Sequence, residues 1–132
     1  MKHKRELILL AVCGWLVLLP TSIFAHHSIT SEFDSTKEFT VTGVLTHVDW
    51  TNPHIYVWVD AKDDEGKVVN WAFEGNPPGI LHRAGVTKDL FKVGEVVTVT
   101  AIVPKDGTKH LGFGKVYKYS DGHEIRLSAG RE

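Results

Sequence analysis

Two adjacent histidines, His26 and His27, are the residues with the clearest chemical potential. If the chain is cut after Ala25, the free amine and the imidazole of His26 lie on one residue and can chelate a metal ion together. Nitrogen ligands of these kinds suit copper and zinc. We therefore predict a metal set of His26, His27 and His54. The alternative is a loose polar terminus, because the first residues of most domains are poorly ordered.

A second candidate site depends on how two neighbouring strands pair. Asn52-Pro53 predicts a turn, and His54 starts the strand that follows. If the apolar residues of the two strands share one core face, His54 lies opposite Glu74, and a carboxylate beside a histidine fixes its tautomer and raises its basicity. A shift of one residue would send the two side chains to opposite faces. The alternative is a structural turn in which His54 satisfies a backbone carbonyl. The residues of the shared face would be Ile55, Val57, Val59, Trp71 and Phe73.

Two aromatic residues offer a third interpretation. Strand alternation places Tyr56 and Trp58 on the face opposite the core residues. Rings on a protein surface can stack on sugars or bases, although strand aromatics more often form core or cross-strand pairs. The absence of basic neighbours argues against base stacking. An oligosaccharide or a lipid headgroup is the remaining ligand for this surface.

Motifs of the common catalytic sites are missing. There is no His-Glu-x-x-His, no Gly-x-Ser-x-Gly and no glycine-rich phosphate loop. The remaining histidines lie on separate predicted elements without ligand spacing, and they are His47, His82, His110 and His123. We predict a non-catalytic binding or accessory module. No cofactor follows with certainty, and copper and zinc are the candidates.

The N-terminus is typical of a cleaved secretory signal. The first six residues include three basic side chains, residues 7–19 form an apolar run, and Ala25 provides the small residue before a cleavage site. A membrane anchor would need about 20 apolar residues. Lipidation at Cys13 is disfavoured because Val12 is too large for that junction. We expect cleavage after Ala25 and a periplasmic or secreted protein.

The remaining 107 of the 132 residues suit one small domain. Three of the 15 basic and one of the 16 acidic residues belong to the signal, so the remainder has 12 and 15, a formal charge of −3. Nucleic-acid binding normally leaves a basic footprint, which is absent here. Cys13 is the only cysteine, so the processed chain has no disulfide. We expect a monomer without a membrane anchor, and an unknown envelope partner or small ligand.

The processed chain is expected to be mainly β. Stretches rich in valine, threonine and aromatic residues alternate with turn signals, and Gly43 indicates a bend or bulge inside the first strand. A short helix is expected between the third and fourth strands, with Asn76 as its cap and Gly85 just past its end. The expected strands are 39–50, 54–61, 67–74, 95–103, 111–119 and 124–127.

This order is that of a five- to six-stranded Greek-key barrel resembling an OB-fold. An irregular β-sandwich is the alternative. The predicted regions are a signal peptide at 1–25, an N-terminal extended segment at 26–37 and a small β-barrel domain at 38–132.

Six short motifs occur in a fixed order along the chain. They are Ala25-His26-His27-Ser28, Glu32-Phe33-Asp34, Trp50-Thr51-Asn52-Pro53-His54, Trp71-Ala72-Phe73-Glu74, Leu81-His82-Arg83-Ala84-Gly85 and Lys92-Val93-Gly94-Glu95. Together these motifs resemble domain of unknown function family 6152, small exported bacterial proteins. The resemblance covers nearly all of the processed chain and implies export and a single domain, but no activity. One departure is Val86, which follows Gly85 where the family pattern has a tryptophan.

Overall fold

The computed structural model describes residues 28–127. Within them the chain is mainly β, with six strands and two short α-helices. The strands are β1 (Phe33–Asp49), β2 (Tyr56–Lys62), β3 (Val68–Glu74), β4 (Val96–Pro104), β5 (Leu111–Tyr119) and β6 (Glu124–Arg126). The helices are α1 (Ile29–Glu32) and α2 (Pro78–Arg83), and Lys88–Leu90 forms one turn of 3₁₀ helix.

The long first strand serves two partners. Its first part, through Val44, pairs with β4, and the part from Val44 onward pairs with β2. Gly43 lies at this change of partner, where a β-carbon would lie 2.2 Å from the backbone oxygen of Asp60. Only glycine allows the two backbones to approach so closely. The sequence predicted a bend or bulge at Gly43, and the register shift of the β1–β2 pairing lies slightly later, between Leu45 and His47.

Neighbouring strands pair in the order β3-β2-β1-β4-β5-β6, and β3 also pairs with β5. Each pair of neighbours in the order β3-β2-β1-β4-β5-β6 is antiparallel. The β3–β5 pairing is parallel and short, joining Ala72, Phe73 and Glu74 to residues 111–113. It brings the end of β3 to the start of β5, two segments that are distant in the sequence.

The hydrophobic core lies on the inner face of this sheet. Alternate residues of β2, Val57, Val59 and Ala61, are buried, because successive strand side chains point to opposite faces. Phe73 and Tyr117 are among the largest fully buried side chains of the described chain. A second, smaller cluster joins Phe33, Ile102 and Phe113.

The first strand is longer than expected from the sequence. It begins at Phe33 rather than Phe39, and the residues just before it form the one-turn helix α1 instead of an extended segment. The added part contains a break in the β1–β4 register between Asp34 and Glu38. Most of its residues are exposed and polar, so no apolar alternation indicated a strand there.

The helix after β3 is capped differently from the sequence prediction. Pro77 is the N-cap residue and Pro78 the first helical residue. Asn76 does not cap the helix, because its side-chain amide donates instead to the backbone oxygen of Leu127, at 2.7 Å. Gly85 does follow the helix end with a positive φ of 80°, as predicted.

The described residues include no helix that is both long enough and apolar enough to cross a membrane.

Candidate functional site

The register of the β2–β3 hairpin decides where His54 and Glu74 lie. Val57 pairs with Phe73 and Val59 with Trp71, so the apolar residues share one face as the alternation predicted. Tyr56 pairs directly with Glu74 at the end of the ladder. The predicted position of His54 directly opposite Glu74 is therefore wrong, because Tyr56 holds that position and His54 precedes the ladder by two residues. The side chain of His54 nevertheless reaches the same carboxylate.

Glu74 is the buried centre of a three-residue cluster. Only 6% of its surface is exposed, and it is the buried charged residue of the described chain. The Nδ1 atom of His54 hydrogen-bonds to Glu74 Oε1, and the hydroxyl of Tyr56 donates to Oε2 at 3.0 Å. A buried carboxylate requires such partners, because its desolvation is otherwise unfavourable. We call His54, Tyr56 and Glu74 the His–Glu–Tyr cluster.

The environment of Tyr56 reflects the nearby negative charge. Partial burial raises the pKa of Tyr56 to about 12, and the charge of Glu74 and its hydrogen bond act in the same direction. Glu32 of α1 adds a smaller effect of the same sign on that pKa. The last residue of α1 therefore lies close enough to the cluster to influence it electrostatically.

The N-terminal helix lies beside Glu74. A cleft of about 370 Å³ is lined by Ser31, Glu32 and Glu74, together with residues 104–106 and Leu111. The backbone N–H of Lys105 donates to the carbonyl of Glu32 at 2.8 Å, and Lys105 Nζ donates to the carbonyl of Thr30 at 2.5 Å. These bonds attach α1 to the end of β4 and hold it next to the cluster.

The cluster orients His54 for binding through its other ring nitrogen. A carboxylate can only accept hydrogen bonds, so in the neutral form of His54 the Nδ1 atom carries the proton that Glu74 accepts, and Nε2 carries the lone pair. The side chain of His54 is 27% exposed, against 8% for Glu74. This is the arrangement in which a metal-binding histidine is usually held by a carboxylate behind it.

The other predicted site residues are distributed as follows. His26 and His27 lie outside the described residues. Asn52 is exposed in the turn before His54, where the Asn52–Pro53 peptide is cis. Trp58 is half-buried, and its ring centroid lies 6.4 Å from that of Tyr56 with the planes tilted by 31°. The structure thus brings together three candidates, His54, Tyr56 and Glu74, with Trp58 beside Tyr56.

No group of three or more potential metal ligands occurs within residues 28–127. The predicted metal set of His26, His27 and His54 includes two residues outside this range, so it stays a prediction.

One cavity was not predicted from the sequence. An open groove of about 570 Å³ runs over Phe39 of β1 and Trp71 of β3 and is bordered by the β4–β5 loop, including His110. The rings of Phe39 and Trp71 lie 5.5 Å apart, and His110 meets Trp71 edge-on at 5.1 Å. Sequence analysis placed these residues on separate elements, and no local motif connects them.

A family model described as a family of unknown function, DUF6152, matches residues 15–113. The chain belongs to this family. That is the family which the sequence motifs resemble, and the match spans α1, the His–Glu–Tyr cluster and the groove. Comparisons with curated proteins and with solved structures gave no match.

Proposed function

We propose that this family member is an exported, non-catalytic binding module whose ligand is a copper or zinc ion. The observation that carries the proposal is the hydrogen bond from His54 Nδ1 to the buried Glu74. Tyr56 fixes the carboxylate from its other oxygen. The three residues form a support that holds Nε2 of His54 in one orientation.

Coordination is completed by the processed N-terminus. Cleavage of a signal peptide (residues 1–25) would give His26 a free amine next to its imidazole, and His27 adds a further ring. Ser28 is the first residue that the structure describes, and Ser31 and Glu32 shortly after it line the cleft beside Glu74. Two residues span at most about 7 Å of extended chain, which limits the distance between the amine of His26 and Ser28. Amine and imidazole ligands favour copper, and zinc accepts the same donors.

An OB-fold-like Greek-key barrel is the architecture that we propose for this module. The order of strand pairings supports it, since β1 pairs with β2 and β4, and β3 pairs in parallel with β5. The position of α2 in the chain, after β3 and before β4, is the arrangement of that fold.

The remaining parts of the proposal follow from the composition. A processed chain with a formal charge of −3 and no basic run gives no support for nucleic-acid binding. We propose a periplasmic or secreted monomer that presents its metal to an envelope partner or holds it alone. The lack of a recognisable nucleophile or phosphate loop in the sequence supports a binding role over catalysis.

The test is calorimetry with Cu(II) and Zn(II) on protein that begins at His26, with the terminus verified by mass spectrometry. We expect sub-micromolar Cu(II) affinity. A single glycine added before His26 and the substitution His54→Ala should each weaken it at least about tenfold, because each removes a ligand. His82→Ala is the matched control, since His82 is exposed on α2. Equal affinity in all four proteins would refute the proposal.

The surface of Tyr56 and Trp58 supports a second, weaker candidate. Both rings are half-buried rather than buried, so an oligosaccharide or a lipid headgroup can still reach them. The hydroxyl of Tyr56, however, already donates to Glu74. Titration of the Trp58→Ala variant with the same saccharides that are used below tests this surface directly.

A further inference from the structure

The groove over Phe39 and Trp71 has the dimensions of a ligand site. Its volume of about 570 Å³ falls in the range of small-molecule pockets, roughly 300–1,000 Å³. It shares Pro104 and Leu111 with the cleft beside Glu74, so the two cavities are neighbours, but none of the three cluster residues lines the groove.

The floor of the groove is aromatic and held in place from below. Trp71 stacks on the buried Phe73 with the ring planes 7° apart. Phe39 packs over Gly112, where a β-carbon would lie 2.7 Å from Phe39 Cζ. Because neither ring can sink further into the core, the floor presents a fixed, half-exposed apolar surface.

The rim of the groove carries charges that cancel. Lys62 and Lys109 provide two positive charges, and Asp63 and Asp64 provide two negative ones. Oδ1 of Asp63 also accepts backbone hydrogen bonds within the β2–β3 turn. A groove for an anion or a nucleic-acid strand would be predominantly basic, so this balance favours an uncharged ligand with many hydroxyl groups.

His110 is held at the edge of the floor in an unusual backbone conformation. Its φ is 57°, the only positive φ of a non-glycine residue within residues 28–127. Its carbonyl accepts the N–H of Ala72 at 3.0 Å, and its ring forms a T-shaped pair with Trp71. Left-handed backbone at a residue other than glycine is unfavourable, and such conformations concentrate at binding sites. The exposed imidazole stands where it can hydrogen-bond to a ligand seated on Trp71.

We propose that this groove binds a neutral oligosaccharide, with one pyranose ring on Trp71 and its hydroxyl groups on His110 and the charged rim. The planes of Phe39 and Trp71 are tilted by 41°, so the apolar C–H face of one pyranose matches the flat face of Trp71 alone, and its hydroxyl edge matches the polar border. This inference is independent of the proposed metal site, since it uses different residues.

The experiment titrates the processed protein with neutral tetrasaccharides of β-1,4-linked glucose, α-1,4-linked glucose and β-1,4-linked N-acetylglucosamine. Calorimetry and tryptophan fluorescence are the readouts. We expect saturable binding by at least one of them, with a dissociation constant at or below about 1 mM. Trp71→Ala should weaken it about tenfold or more. Val93→Ala, a substitution at an exposed position that does not line the groove, should not change it.

His110→Gly keeps the test decisive if Trp71→Ala fails to fold. Glycine accepts a positive φ without strain, so this variant should melt no lower than the wild type but should bind the saccharide several-fold more weakly. The proposal is overturned if no tetrasaccharide binds, if His110→Gly and the folded Trp71→Ala bind as the wild type does, or if only a charged probe such as a thymidine oligonucleotide binds.

Discussion

The His–Glu–Tyr cluster and the Phe39–Trp71 groove are both built on β3, yet different forces hold them. The cluster at the end of the strand is a set of hydrogen bonds around one buried carboxylate, Glu74. The groove, three residues earlier at Trp71, is a set of rings in van der Waals contact. Removal of one donor or acceptor atom is therefore expected to lower the free energy of unfolding at the cluster. At the groove, a change in side-chain volume is expected to lower it.

The largest effect is expected in the cluster. Glu74→Ala removes the acceptor of two hydrogen bonds, and hydrogen bonds to a charged group contribute about 1.5–3 kcal/mol each. We expect the free energy of unfolding to fall by about 3 kcal/mol in urea titrations. Glu74→Gln keeps one acceptor oxygen and should lose about half as much.

Glu65→Ala, an exposed substitution in the β2–β3 turn, is the control and should lie within about 0.5 kcal/mol of the wild type. If Glu74→Ala behaves like this control, the cluster contributes nothing to the fold, and the contrast with the groove disappears.

The next effect probes the packing of the groove. Gly112→Ala places a β-carbon 2.7 Å from Phe39 Cζ and 3.1 Å from the β-carbon of Ala101. Overpacking of this kind costs about 2 kcal/mol, which chemical denaturation will measure. The double variant Gly112→Ala/Phe39→Leu should recover part of the lost free energy of unfolding, because leucine is shorter than phenylalanine and leaves room for the new β-carbon.

Gly79→Ala is the matched glycine control. Its β-carbon would meet only Arg83 Nη1 at 3.7 Å within the described chain, and alanine favours a helix. It should be neutral or slightly stabilising. If Gly112→Ala lowers the free energy of unfolding and the added Phe39→Leu recovers none of it, then Phe39 does not pack against Gly112 in the floor of the groove.

The two regions also differ in how much of them the sequence could predict. Alternation in one hairpin predicted the shared apolar face of Val57 and Phe73, and with it the side on which His54 and Glu74 lie. It did not predict the exact pairing, because a shift of two residues keeps every side chain on the same face. Tyr56, and not His54, is the residue paired with Glu74.

The groove depends on non-local pairing, which periodicity does not encode. Trp71 meets His110 because β3 joins β5 in parallel, with α2 and β4 between them in the chain. The positive φ of His110 was not predicted, since this conformation is uncommon for any residue other than glycine, even though histidine adopts it more often than most. Asn76 shows the same limit. Its position before two prolines predicts a cap, but the side chain donates to the distant carbonyl of Leu127.

A smaller effect is expected when only the hydrogen bond between Tyr56 and Glu74 is removed from the cluster. Tyr56→Phe removes the donor to Glu74 Oε2 and should lower the free energy of unfolding by about 1.5 kcal/mol at neutral pH. Since the folded protein holds the pKa of Tyr56 at about 12, above the value of about 10 for an unfolded tyrosine, this contribution is fully present below about pH 10. It is lost as the pH rises through about 12.

Urea titrations of both proteins at pH 7, 9 and 11 measure the gap between them. The difference in free energy of unfolding should be equal at pH 7 and pH 9 and smaller at pH 11. A gap that stays constant to pH 11 would mean that the folded protein does not raise the pKa of Tyr56, by burial or by the contact with Glu74. The groove variants should show no such change.

The smallest effect on the free energy of unfolding is expected at Tyr117, a core residue that packs against Phe73 between the cluster and the groove. The ring of Tyr117 meets Phe73 edge-on at 6.4 Å, and Phe73 stacks behind Trp71 and directly precedes Glu74. Within the described chain the buried hydroxyl of Tyr117 has no hydrogen-bond partner. Burial raises its pKa well above the ordinary value, so it stays protonated. Because an unpaired buried hydroxyl is unfavourable, Tyr117→Phe should be neutral or stabilising by up to about 1 kcal/mol.

Tyr119→Phe is the control of opposite sign for this substitution. The hydroxyl of Tyr119 accepts the N–H of Lys92 at 3.0 Å, so its removal should destabilise the protein by about 1 kcal/mol. Tyr117→Phe should also leave both the Cu(II) and the tetrasaccharide titrations unchanged, because the ring still supports Phe73. If either affinity falls, the buried hydroxyl acts on that region through Phe73, and the cluster and the groove cease to be separable parts of β3.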